Sequence, residues 1–360
     1  LVGGSRTAPA RHQSIRAAIK SSFDYLSAQE RKLFARLAVF SAPFSPSAME
    51  KICSGEGIAE KDVLNLAIQL VERSLLAVDE GVENRFCLRE PVKLFAREVL
   101  QKFGEEEKFR QRHFEYFTGI ARQAEKLSDA EGGKDWLERV QQEYGNISSA
   151  LRWGMSRFPE IALKTAISLQ EFYDVRGYWE EGERILKEIL AGYRGMDKRV
   201  QAEVMLLIGH FLWRKGKMEE AEEWWKKSLS TAKSTKTKKV LASALHKLGN
   251  LALSKGDYAS AIRYYQEALP LYEKLSDEMR MASVLNNLGY ISGLQGNYAE
   301  AEGYLKRALA VFQKLGDMTR ATGVLQIFSR VAYSRKDYPQ AMRYGEEALR
   351  LARSLGDRRQ

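Results

Sequence analysis

Apolar and small residues in the second half of the chain recur at helical spacing. In LHKLGNLALSKGDYASAIRYYQEAL, Leu245, Leu248, Gly249 and Ala252 share one helix face. Gly256-Asp257 interrupts that helix, and Tyr258 opens a second. Small Ala261 and Ala268 of the second helix are expected to face the first, with Tyr265 filling the space between them. Gly249 then marks a point of close approach, where a side chain would hold the helices apart. Each unit predicts an antiparallel helix pair.

The same order returns 40 positions later at Leu285, Leu288, Gly289, Gly296, Tyr298, Ala301 and Ala308. It extends backward through Gly209, Gly216, Ala221, Trp224 and Trp225, and forward through Tyr338, Ala341, Tyr344 and Ala348, giving four units. Gly177, Tyr178 and Gly182 fit a fifth, degenerate one. Small residues at contact points with large ones between them resemble the tetratricopeptide pattern, whose usual period is about 34 residues. The surplus falls in KLSDEMR (274–280) and KLGDMTR (314–320), which is expected to lengthen the second helix or its turn. The resemblance implies a right-handed α-solenoid. Stacked hairpins normally end in a polar cap. Leu355-Gly356-Asp357 instead repeats Leu315-Gly316-Asp317, so the array is expected to continue beyond Gln360.

In such arrays the first helix of each unit lines the inner surface, the usual docking place. Opposite the core positions stand His246 and Asn250 with Ser243 and Leu253; His210 and Trp213 with Glu203 and Leu206; Asn286 and Tyr290 with Ser283 and Gly293; and Gln326, Arg330 and Tyr333. Amides and imidazoles suit peptide backbone groups, and the aromatic rings offer flat apolar contact. These nine residues, His210 to Tyr333, are the expected partner-binding face; ordinary exposed helix residues are the alternative.

The first hundred residues read differently. SIRAAIKSSFDYL and AQERKLFARLAVF predict two helices, with Ser27 and Glu30 placed for a capping box. SPSAMEKIC begins a third, and AEKDVLNLAIQLVER places Val63, Leu64, Ala67, Leu70 and Val71 on one face. SLLAV and RFCL flank the polar turn DEGVEN as a β-hairpin, and EPVKLFAREVLQKF resumes helix with Pro91 in its first turn. Helices followed by a two-stranded wing describe a winged helix, a fold that often sets a helix in a DNA groove. Here that helix carries Glu60, Asp62 and Glu72 against Lys61 and Arg73, a balance that opposes phosphate. Residues 104–200 read as amphipathic helices packed by Trp136, Trp153 and Trp179, and Glu143, Asn146 and Arg152 form no recognisable catalytic set.

Composition narrows the classes. The net charge of +10 comes from 57 basic residues interleaved with 47 acidic ones. KKSLSTAKSTKTKK (226–239) is the exception, read as a solvated turn or as a meeting place for a phosphate backbone or an acidic protein face. Cys53 and Cys87 suggest neither a disulfide framework nor zinc, and the scattered His12, His113, His210 and His246 suggest no metal. No apolar run is long enough to span a membrane. No order of nucleophile, histidine and acid supports an enzyme.

YLSAQERKLFARLAVF, LAIQLVERSLLAV, FCLREPVKLFARE, RHFEYF and WLERVQQEYGNISSALRW, taken in order, resemble the part of STAND-class signal-transducing ATPases that follows the nucleotide-binding module, in the style of bacterial transcriptional regulators. That resemblance implies a cytoplasmic switch in which an upstream ATPase binds ATP or ADP, the winged helix clasps it in cis, and the repeats bind a protein, a peptide or a small inducer. GxxxxGK[ST] is absent, so no cofactor is expected in these residues themselves. Where relatives place a phosphate-sensing histidine, this chain has Arg89, between Leu88 and Glu90. The expected organisation is an all-α chain with one small β-hairpin wing: a linker from the ATPase module (1–13), a winged helix (14–103), a helical linker (104–200) and tetratricopeptide-like repeats (201–360). A DNA-binding transcriptional regulator using the winged helix is the alternative.

Overall fold

The computed structural model describes residues 10–79, 81, 84–124 and 133–357, so most of the expected 1–13 linker and part of the wing turn lie outside the described residues. Two compact units divide at Arg194 and Gly195.

The first unit runs through α1 (Ala10–Asp24), α2 (Ala28–Arg36), α3 (Pro46–Cys53), α4 (Val63–Glu72), β1 (Ala77–Val78), β2 (Phe86–Cys87), α5 (Glu90–Lys102), α6 (Glu106–Ala124), α7 (Gly133–Gly154), α8 (Pro159–Ser168), α9 (Gln170–Arg176) and α10 (Trp179–Gly192). The capping box forms: the Glu30 amide donates to Ser27 Oγ at 3.3 Å and the Ser27 amide donates to Glu30 Oε2 at 2.6 Å. Helix α2 stops at Arg36, earlier than the periodicity implies, and tightens into a short turn over Leu37–Val39. Arg36 is fully buried and donates to the carbonyls of Cys53 and Gly55 and to Glu105. The wing strands are two residues long, paired Ala77 to Cys87 and Val78 to Phe86. They begin late because the amides of Leu75 and Leu76 both donate to Leu70 O, closing the end of α4.

Winged helix and following helices are not separate bodies. Glu143 of α7 receives both guanidinium nitrogens of Arg85, at 2.9 and 2.8 Å, and both side chains are buried. Asn146 accepts from the amides of Ser41 and Ala42 and donates to Pro43 O. A Cβ on Gly145 would stand 2.5 Å from Ala42 Cβ, so only glycine lets α7 sit this close to the loop after α2. Trp136 is buried, while Trp153 packs at a tilt against Phe114 and Phe158.

The second unit consists of four antiparallel pairs: α11 (Lys198–Arg214) with α12 (Met218–Thr235), α13 (Lys238–Ser254) with α14 (Tyr258–Lys274), α15 (Glu278–Leu294) with α16 (Tyr298–Lys314), and α17 (Met318–Ser334) with α18 (Tyr338–Asp357). The added length of the repeat is shared: each helix from α13 to α17 has 17 residues, so the surplus does not fall on the second helix alone. Left-handed backbone at Gly216, Lys236, Gly256, Ser276, Gly296, Gly316 and Lys336 makes a joint every 20 residues, two to a unit. Asp257, Asp277 and Asp317 then cap the following helices through the amides three residues on.

Within each of the first three pairs one contact sets the approach. A Cβ on Gly209 would meet Trp225 at 2.5 Å, on Gly249 Tyr265 at 2.6 Å, and on Gly289 Leu305 at 2.7 Å. In the fourth pair both positions are small, Ser329 where the glycine was and Gly345 where the large residue was, and a Cβ on Gly345 would stand 3.6 Å from Ser329 Oγ. Ala261, Ala268, Ala301 and Ala308 are wholly buried, as the spacing predicts. The lysine-rich 226–239 segment is mostly helix, closing α12 and opening α13, with Lys226 held by Glu222 and Lys233 near Glu267.

Gly249→Ala is expected to destabilise the chain by about 2 kcal/mol, because the new methyl group overpacks Tyr265. Gly303→Ala, helical with open space around its Cα, is expected to stabilise it by about 0.5–1 kcal/mol. Urea unfolding of both variants checks the pair; equal shifts of the same sign would show that helix approach does not govern stability here.

Candidate functional site

The first helices of successive pairs also touch one another, α11 with α13 and α15 with α17. Between them lies a cavity of about 420 Å³ lined by His246 and Asn250 of α13, Ser283, Asn286 and Asn287 of α15, Phe312 of α16, and Arg320, Gly323 and Ile327 of α17. His246, Asn250 and Asn286, placed on one face by sequence, are thus brought together. A smaller recess beside it is lined by Tyr290, Gly293, Ile327 and Arg330, with the Arg330 guanidinium 5.2 Å from the centre of the Tyr290 ring.

The cavity wall is tied to the hydrophobic core. Tyr265, the residue that Gly249 accommodates, donates through its hydroxyl to Asn250 Oδ1 at 2.7 Å. Asn287 Nδ2 donates to the same Asn250 oxygen at 3.0 Å and to the Tyr265 hydroxyl at 3.1 Å, joining the α13 and α15 units. The Tyr272 hydroxyl lies 3.4 Å from His246 Nδ1. Desolvation pushes His246 down to about 4, so the ring is neutral near pH 7 and serves as a hydrogen-bonding group. Burial likewise pushes Tyr272 up to about 12. Asn286 Oδ1 is shielded from solvent and has no hydrogen-bond partner among the described residues, leaving an acceptor at the wall.

Asn287, Phe312, Arg320, Gly323 and Ile327 were not among the residues that helical spacing singled out. Two of them form a neighbouring row, Asn287 and Ile327, one residue beyond Asn286 and Gln326. The cavity runs across three first helices, α13, α15 and α17, so its far wall is the side of α17 turned toward α15, about 100° round the helix from Gln326. Gln326 is exposed outside the cavity, and Tyr333 packs edge-on against Tyr338. His210 and Trp213 stack with ring centroids 6.2 Å apart, and His210 Nδ1 lies 3.3 Å from Lys247 Nζ. Leu206 and Gly293, expected on the open face, are buried, Gly293 against Val331.

In the first unit, the outward side of α4 presents Asn65, Ile68, Gln69 and Glu72, with Lys61 exposed in the turn before it. Arg73 is paired with Glu30 at 3.4 Å and Lys51 with Glu60 at 2.7 Å, which spends two of the nearby cations. Arg89 is exposed at the start of α5, beside a cleft of about 310 Å³ lined by Val71, Ser74, Val78 and Val92 among others. His113 is packed between Phe40 and Phe117, where burial pushes it down to about 3. Among the described residues no group of histidines, cysteines and carboxylates is placed to hold a metal ion, and no helix is long and apolar enough to cross a membrane.

Residues 200–274 and 280–354 match the family model described as tetratricopeptide repeat, and residues 26–101 match that of a winged helix-turn-helix domain. HTH-type transcriptional regulators of Mycobacterium bovis and Mycobacterium tuberculosis are each 31% identical over 196 residues, 54% of this chain and 22% of theirs. The chain therefore spans about a fifth of the length of these relatives. Among solved structures, BtubC from P. vanneervenii is 22% identical with a TM-score of 0.54, covering 61% of this chain and 92% of its own. A signal transduction ATPase with numerous domains and a tetratricopeptide repeat sensor, from Pyrococcus horikoshii, is 18% identical with a TM-score of 0.50, covering 99% of this chain and 54% of its own. At these identities the structural likeness is one of fold. The chain carries a winged-helix domain and an array of tetratricopeptide repeats, and is related to HTH-type transcriptional regulators.

Proposed function

We propose that this chain acts in transcriptional regulation, its repeat array holding a protein or peptide partner and its winged helix meeting DNA. The observation that carries the reading is the presence of both modules in a chain that is, over 196 residues, 31% identical to HTH-type transcriptional regulators. On the repeat side, the cavity between α13, α15 and α17 offers amides at several heights and a neutral imidazole, groups that match the backbone of an extended peptide. On the winged-helix side, Asn65 and Gln69 are exposed on α4, and carboxamides pair with the adenine edge in a major groove. Acidic neighbours and paired cations make the phosphate contribution small.

A second reading, the partner-sensing and regulatory part of an ATPase switch in the cytoplasm, is favoured by Arg89 at its cleft beside the wing. There the winged helix controls a nucleotide-binding module in cis, and Arg89 supplies a cation toward phosphate.

Replacing Asn286 and Tyr290 together with alanine is expected to reduce partner capture in a cross-linking pull-down at least tenfold with little change in melting temperature. Undiminished capture would place docking elsewhere on the array. Titration against mixed-sequence duplexes is expected to show binding at 50 mM salt that falls no more than about tenfold at 150 mM, the loss expected of two or three phosphate contacts, and that weakens further in Asn65→Ala/Gln69→Ala. A chain that binds no duplex at 50 mM salt removes DNA contact from the reading.

A further inference from the structure

Charge is distributed unequally between the two helices of the repeat. The first helices, α11, α13, α15 and α17, hold two carboxylates, Glu203 and Glu278, against nine lysines and arginines. The second helices, α12, α14, α16 and α18, hold eleven acids and eleven bases. One of the two inner carboxylates is spent, because Glu278 receives Lys314 of α16 at 2.8 Å. Helices α13 and α17 contain no acid at all. The positive excess of the array falls on the first helices even with their capping aspartates Asp197, Asp277 and Asp317 counted, although Arg280 and Arg320 are paired with Asp277 and Asp317 just as Lys226 is with Glu222 and Lys306 with Glu302 on the second helices.

Two cations stand where an occupant would meet them. Arg320 lines the cavity, half-exposed, with Nη1 on Asp317 Oδ2 at 2.6 Å and on Met279 Sδ at 2.8 Å, which leaves Nε and Nη2 for a second acceptor. Arg330 lines the adjoining recess, exposed, resting on the Tyr290 ring and forming no ion pair among the described residues. A concave surface of one sign, walled by low-dielectric protein, focuses its potential on an oppositely charged ligand.

We propose that the face shared by α13, α15 and α17 takes an extended peptide segment bearing side-chain carboxylates, with Arg320 and Arg330 as its anion contacts and Asn250, Asn286 and Asn287 turned to its backbone. The proposal rests on the docking reading above and specifies the partner's chemistry. Nucleic acid fits the surface less well: the cations are few for a phosphate backbone, and the Tyr290 ring is already covered by Arg330, leaving little for base stacking.

The test uses the full chain and three fluorescein-labelled, C-terminally amidated dodecapeptides: (Glu-Ser-Leu-Glu)3 and its counterparts with Gln or Lys in place of Glu. Fluorescence anisotropy is expected to show the Glu peptide binding at least tenfold tighter than the Gln peptide at 50 mM salt, with the advantage shrinking at 300 mM. Arg320→Glu/Arg330→Glu is expected to abolish that advantage and admit the Lys peptide, and Arg320→Gln/Arg330→Gln to abolish it without reversal. Lys306→Glu/Arg350→Glu, the same charge change on second helices, is expected to leave it intact. Equal binding of the Glu and Gln peptides overturns the acidic assignment while partner capture through Asn286 and Tyr290 still stands. Equal weakening by the second-helix variant overturns it as unspecific attraction, tighter binding of a dodecathymidylate overturns it in favour of nucleic acid, and failure of all three peptides overturns it outright.

Discussion

The repeat array depends on one steric constraint, the meeting of an uncovered backbone with a large side chain sixteen residues later. Gly209 receives Trp225, Gly249 receives Tyr265 and Gly289 receives Leu305, each at a distance that any Cβ would violate. Once that approach is made, the buried alanines of the second helices close the space on either side, at full burial and without side-chain entropy to lose. The fourth pair departs from this rule: Ser329 and Gly345 are both small, and the stacked rings of Phe328 and Tyr344 one residue earlier join its helices.

The period follows from the joints. Left-handed positions recur every 20 residues, and four of the seven from Gly216 to Lys336 are glycine, which reaches positive φ at no steric cost. Lys236, Ser276 and Lys336 adopt the same conformation at a penalty of about 1 kcal/mol or more each, which the packing of the flanking helices outweighs. Equal joints give equal helices, and equal helices keep the first members of all pairs in one layer where their polar faces become a common surface.

How much of this was legible in sequence differs by level. The hairpins were readable because glycine, alanine and tyrosine recur in a fixed order, and the Ser27–Glu30 box because capping is local. The cavity was only half readable. His246, Asn250 and Asn286 could be found from one helix's period, whereas Arg320, Gly323 and Ile327 belong to it because α17 turns another side toward α15, a relation between helices that no single period contains. Glu143 and Asn146 gave no signal for the same reason: their partners, Arg85 and residues 41–43, lie far away in the chain.

The link between core and surface explains why such a face can be selective. Tyr265 fills the space over Gly249, and its hydroxyl fixes Asn250, which with Asn287 spans two successive units. The carboxamides on the wall are therefore oriented by packing before any partner arrives, so less rotamer entropy is lost on binding. Arg330 differs, resting on an aromatic ring and open to water. In the proposed docking mode, a rigid amide row would supply register along a peptide backbone and exposed cations beside it a preference for charge, so the two kinds of group would divide between them what one kind alone would do poorly.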